Sequence, residues 1–122
     1  MMRMAVWAVA LFLAVVPLAQ AFEIEGVYDV QGNNPDEKTT YGGTATVTVA
    51  GDAYQVVWKI AGQEIHGTGL RLGDTFAVSL IGPNNQGAGL ALFLSTPEGG
   101  MDGRWVTVGS KEVGTENWTR RQ

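Results

Sequence analysis

The chain has 122 residues, with 8 Lys/Arg against 12 Asp/Glu and a net charge of −4. Its basic residues form no cluster, which argues against nucleic acid or an anionic membrane as partner. It contains no cysteine, so thiol catalysis, thiolate metal sites and disulfides are excluded.

Residues 1–21 have the pattern of a secretory signal: Arg3, an apolar run over 4–16, and Ala19-Gln20-Ala21 as a small-x-small cleavage site. The apolar run is short for an uncleaved membrane span. The expectation is cleavage after Ala21 and a periplasmic or secreted protein that has no membrane contact afterwards. Loss of Arg3 leaves seven basic residues against twelve acidic, a charge of −5. Residues 22–122 then form one domain with one core.

Residues 24–30 alternate, with Ile24, Gly26, Tyr28 and Val30 on one side and Glu25, Val27 and Asp29 on the other. Residues 32–38, Gly-Asn-Asn-Pro-Asp-Glu-Lys, read as a surface loop. Residues 44–50 alternate Thr against Ala or Val, and Gly51-Asp52 supplies a turn. Residues 54–60 alternate again, with Tyr54, Val56, Trp58 and Ile60 on one side.

With a two-residue turn at 51–52, Val49 faces Tyr54, Val47 faces Val56 and Ala45 faces Trp58. A second turn at Ala61-Gly62 sets Tyr54 against Gly69, Val56 against Gly67 and Trp58 against Ile65. Bulky residues opposite glycines suit the interior of a small closed barrel. The alternative is a bulge or a weak strand at the glycines.

A turn at 72–74 leads to residues 75–80, with Phe76, Val78 and Leu80 on the face of Gly67 and Gly69. A loop over 82–87 follows. Residues 89–95 are apolar on both sides, and the expectation puts Leu90, Leu92 and Leu94 inward, Ala91 and Phe93 outward. A four-residue loop at 97–100 would pair Leu94 with Gly103 and Leu92 with Trp105. A four-residue turn at 109–112 would pair Thr107 with Gly114, Trp105 with Glu116 and Gly103 with Trp118.

About eight short strands with no helical periodicity predict an all-β antiparallel up-and-down meander closing into a small barrel. Closure removes the open edges of such a sheet. A flattened sandwich or half-open barrel is the alternative.

Several of these positions make a recurring pattern: Gly26, Tyr28, Val30 and Gly32, then Asn34-Pro35, Tyr41 and Gly43, Trp58, Met101, Gly103 and Trp105, and Gly114-Thr115-Glu116. In them the chain resembles a family of small exported bacterial proteins commonly labelled "fibronectin-binding protein". The resemblance implies a shared barrel and an extracellular protein partner such as fibronectin. Some members carry cysteines near the positions of Tyr54 and Gly69, where this chain has none. The glycine-then-aromatic opening and the late arginine also resemble lipocalin- and avidin-like barrels.

No nucleophile elbow, phosphate loop, paired catalytic carboxylates or cofactor motif is identifiable, so the expectation is a non-enzymatic protein without cofactor. His66 is the single histidine, and it faces outward beside Glu64, which argues against zinc. Asp36 and Glu37 lack ordered calcium-ligand spacing. Asn117-Trp118-Thr119 matches a glycosylation acceptor but falls in a strand.

Glu116 points inward and needs a partner, which Arg120 or Arg71 could supply. It reads either as closure of a barrel end or as a ligand-binding carboxylate. Tyr28, Tyr41, Tyr54, Trp58, Trp105 and Trp118 share the inward parity. Eight-stranded barrels either fill with side chains or hold one small ligand, and short strands favour filling. If a pocket exists, Tyr28, Tyr54, Trp58, Trp105 and Glu116 are its candidate lining. Outward, Val57, Leu70, Ala91, Phe93, Val106 and Val108 would form an apolar face for a partner protein or for self-association. The first functional expectation is an exported protein that binds a partner through loops or this face, and the second is a small-ligand carrier.

Overall fold

The computed structural model describes residues 23–36 and 38–122; Glu37 and the export signal expected at 1–21 lie outside the described residues. Eight strands follow one another in the chain: β1 (Gly26–Asn33), β2 (Thr40–Ala50), β3 (Ala53–Ile60), β4 (Gln63–Leu72), β5 (Thr75–Ile81), β6 (Ala88–Ser95), β7 (Met101–Thr107) and β8 (Gly114–Arg120). Each pairs antiparallel with the next, and β1 also pairs with β8, closing an up-and-down barrel. Closure gives every strand two neighbours, so no ladder edge is left exposed.

The alternation in β2, β3 and β4 sets their registers. Val49 lies opposite Tyr54, Val47 opposite Val56 and Ala45 opposite Trp58. Tyr54 lies opposite Gly69, Val56 opposite Gly67 and Trp58 opposite Ile65. A Cβ on Gly67 would come within 2.6 Å of Val78 and 3.0 Å of the Trp58 ring, so the missing side chain makes room for its neighbours.

Two expected registers are corrected. Ser95 pairs with Met101, so the β6–β7 connection covers five residues, 96–100, and not four. Thr96 and Gly100 close it with a backbone hydrogen bond of 2.9 Å. An odd loop length inverts the parity of β6 relative to that expectation: Ala91 pairs with Trp105 and Phe93 with Gly103. Ala91 and Phe93 are therefore buried, and Leu90, Leu92 and Leu94 are exposed. β6 is apolar on both faces, so its composition carries no contrast to set the side. The fit inside does: small Ala91 sits beside bulky Trp105, and Phe93 fills the space that Gly103 leaves.

The β7–β8 register is displaced by two residues from the expectation, which preserves the face and changes the partners. Trp105 pairs with Gly114, Gly103 with Glu116 and Met101 with Trp118. The Trp105 ring occupies the space where a Gly114 side chain would stand.

The core is concentrated toward one end, where the β2–β3, β4–β5 and β6–β7 turns lie. Tyr28, Trp118, Phe93, Phe76 and Tyr54 form a continuous ring series there, with centroids 5.1, 4.4, 6.5 and 5.5 Å apart in that order. Such edge-on and tilted contacts add to the gain from removing large apolar surface from water. Arg120 closes this end. Its guanidinium stands over the Tyr28 ring, 4.9 Å from the centroid, and donates to the Tyr28 hydroxyl and the Glu25 carbonyl at 2.8 and 3.0 Å. It donates to the Glu23 carbonyl as well.

Candidate functional site

At the opposite end, where the β1–β2, β3–β4, β5–β6 and β7–β8 connections lie, the barrel is open. A cavity of about 380 Å³ enters from this mouth, bounded by Trp58, Ile60, Ile65, Leu80, Ala91 and Trp105. These are inward positions toward the mouth ends of β3 to β7, so strand alternation delivers them all to one space. The lining is mainly apolar, and Asn34, Gln86 and Thr107 bring polar groups to it. The expectation that short strands would fill the barrel thus holds at one end and fails at the other. The volume lies within the usual range of small-molecule sites, about 300–1,000 Å³.

The β5–β6 connection shapes one side of the mouth. A short 3-10 turn, Pro83–Asn85, sits inside a loop closed by the Gly82 N–H donating to the Gly87 carbonyl at 3.0 Å. Pro83, Gln86 and Gly87 face the cavity from that loop. Across the mouth, Asp36 accepts from the backbone N–H groups of Lys38 and Thr39 at 2.8 and 3.1 Å. These bonds hold the Asp36 carboxyl below the usual aspartate range. Asp36 is thereby engaged within its own loop. Among the described residues no group of three His, Asp or Glu is placed to hold a metal ion.

Glu116 lies at the cavity wall where the open space meets the core. Its side chain is 8% exposed and receives three hydrogen bonds. Tyr41 donates its hydroxyl to Oε1 at 2.6 Å, and the indole N–H groups of Trp58 and Trp118 both donate to Oε2, at 2.9 and 2.8 Å. On its two neighbouring strands Glu116 faces glycines, Gly32 and Gly103. The Tyr41 ring fills the place of a Gly32 side chain, which is what lets its hydroxyl reach Glu116.

Burial pushes the Tyr41 phenol well above its ordinary value, and the negative Glu116 beside it pushes further in the same direction. The Trp105 indole opposes this slightly by favouring the phenolate. The Trp105 N–H is itself buried and makes no well-formed hydrogen bond. Its ring stands edge-on to Tyr41, with centroids 6.2 Å apart.

The structure brings Trp58, Trp105 and Glu116 together on the cavity and leaves Tyr28 and Tyr54 away from it. Tyr28 donates to the Ile24 carbonyl under Arg120, and Tyr54 packs on Phe76, both at the filled end. Neither Arg120 nor Arg71 pairs with Glu116 as expected. Arg120 binds the N-terminal carbonyls and Tyr28, and Arg71 donates to the Gly73 carbonyl at 2.9 Å. The carboxylate is held instead by neutral donors. Tyr41 as its ligand and Ala91 as a wall residue were not foreseen as site residues; Tyr41's inward parity was the available signal. His66 lies outside the barrel, 3.2 Å from Glu64.

The exposed apolar face also differs from its expected membership. Leu92 and Leu94 of β6 stand beside Leu70 and Leu72 of β4 across Ala77 and Thr75 of β5, and Leu90 extends the row on β6 opposite Ser79. All five leucines are more than half exposed.

Compared with known proteins, the sequence matches no family model and no curated relative.

Proposed function

We propose that this chain is a non-enzymatic small-molecule-binding barrel that holds an apolar ligand in its open mouth. The observation that carries this reading is the contrast inside one barrel: a close-packed aromatic core at one end and a 380 Å³ apolar cavity at the other, with Glu116 at its wall. A barrel selected for stability alone gains by covering that surface, since apolar area removed from water stabilises by about 25 cal/mol per Å². The residue pattern at 1–21 supports export, and with it a binding site in the periplasm or outside the cell.

Titrating the purified protein with 1-octanol while following tryptophan fluorescence tests the reading. Trp58 and Trp105 border the cavity, so a saturable change in emission is expected. Thr107→Phe, which adds a ring at the rim, should reduce that response at least several-fold without unfolding the barrel. A linear, unsaturable response in the folded protein would refute the carrier reading.

A second reading rests on the leucine face. Five exposed leucines over β4 and β6 support docking of a protein partner, the kind of role that the resemblance to fibronectin-binding-labelled proteins implies. Leu92→Glu would abolish capture of immobilised fibronectin under this reading. Capture by the wild type that survives the substitution would count against this face.

A further inference from the structure

The cavity has a pronounced charge asymmetry. Among the described residues its lining includes one carboxylate, Glu116, and no lysine, arginine or histidine. The three groups that hold Glu116 are a phenol and two indoles, all neutral. They satisfy hydrogen-bonding capacity without supplying countercharge, and a largely buried carboxylate without a cation carries a heavy desolvation cost. A carboxylate offers about four acceptor positions, and three donors occupy it here. Room for a donor therefore remains beside Oε1, which among the described residues receives Tyr41 alone.

Aromatic residues surround this charge. Tyr41, Trp58 and Trp105 all line the same cavity, and their ring faces attract cations. Ile60, Ile65 and Leu80 complete an apolar wall that suits a hydrocarbon body. The chain as a whole is acidic, which favours the approach of a cation over that of an anion.

We infer that the ligand is an amphiphilic amine, its hydrocarbon part against Ile60, Ile65 and Leu80 and its ammonium group at Glu116 among Tyr41, Trp58 and Trp105. An ammonium brings donors and the missing positive charge and has no lone pair to oppose the carboxylate. A hydroxyl head brings one donor and no charge. A carboxylate head brings neither and meets Glu116 as a like charge. The inference rests on the mouth being a binding site, and it adds the chemical class of what the site selects.

Calorimetric titration of the wild-type protein with octylamine, 1-octanol and octanoate, all of one chain length, tests it. The expected order is octylamine, then octanol, then octanoate, with octylamine on the order of tenfold or more tighter than octanol from the charge-assisted bond and the aromatic faces. In Glu116→Gln, which retains an acceptor for the indoles, the ratio of amine to alcohol affinity should fall to about one. Near-ultraviolet circular dichroism checks that this variant is folded; the ranking in the wild type stands as a test without it. Octanol or octanoate binding as well as octylamine would overturn the amine assignment and leave the cavity reading intact. Binding of none of the three would overturn both. An amine preference that persists in folded Glu116→Gln would show that Glu116 is not its source.

Discussion

The two ends of this barrel use the same strands to opposite effect. At the closed end, Tyr28, Trp118, Phe93 and Phe76 pack ring against ring, and Arg120 stands over Tyr28. At the mouth, the inward residues Ile60, Ile65, Leu80 and Trp105 are only partly buried and face one another across open space. Glu116 stands at the boundary, bonded to Trp118 of the core on one side and to Tyr41 at the cavity on the other. The contrast shows how a small barrel can concentrate its packing in one half, which supplies the core, and leave the other unfilled.

The strongest way to break this comparison is to truncate one side chain at each end. Trp118→Ala should cost about 3–5 kcal/mol, as buried aromatic truncations do, and should also remove a donor from Glu116. Leu80→Ala, on the cavity wall, should cost about 1 kcal/mol because much of its surface is not packed. Urea denaturation measures both, and similar losses would mean that the two ends are not distinct. Next in size is Arg120→Met, which removes the donor from the exposed Glu23 and Glu25 carbonyls and the cation from over Tyr28, and should cost about 0.5–1.5 kcal/mol. This loss should appear at the closed end, as faster amide exchange around Tyr28, while the mouth stays unchanged.

A pH titration sharpens the comparison because it places one raised phenol at each end. Tyr28 is raised by burial, against the opposing pull of Arg120, and Tyr41 by burial and Glu116. Both folded-state values lie above the ordinary 10.0, so their contribution to stability is complete below that pH and declines as pH rises beyond it. Phenolate absorbance should therefore show Tyr28 and Tyr41 still un-ionised in the folded protein above pH 10, appearing only as it unfolds. Ionisation of either phenol at its ordinary value in the folded state would contradict the burial assigned to it.

The smallest effect concerns the β3–β4 turn at the mouth. Ala61 and Gly62 have φ of 54° and 77°, and the left-handed region is costly for alanine. Ala61→Asn should stabilise by roughly 1 kcal/mol, since Asn-Gly suits such a hairpin turn. Thermal denaturation should show a modest rise in Tm without altered ligand binding.

Much of the barrel was legible where contrast and turn length agreed. Residues 44–71 combine strict alternation with two-residue turns, so a single register satisfies both. β6 was misassigned because Leu90 to Ser95 alternates one apolar set with another, leaving the length of the 96–100 connection to decide the face. For β8 the face was correct and the height was not, because Gly114 pairs with Trp105 and not with Thr107, so the connection between paired residues spans 106–113 and is displaced toward β7. The inward set identified Trp58, Trp105 and Glu116, yet parity says nothing of position along the barrel axis. Tyr28 and Tyr54 consequently looked equivalent to Trp58 until strand register placed them at the other end. The cluster of Tyr41, Trp58 and Trp118 on Glu116 joins β8 to the distant strands β2 and β3, and barrel closure is what assembles it.

The most direct test of the central claim is a two-dimensional proton–nitrogen NMR titration of the protein with 1-octanol. The account predicts saturable shifts of the Trp58 and Trp105 indole signals and of amides at Ile60, Ile65 and Leu80, with those of Phe76 and Met101 nearly still. Shifts confined to Leu90, Leu92 and Leu94 would contradict it and move the binding surface to the outside of the barrel.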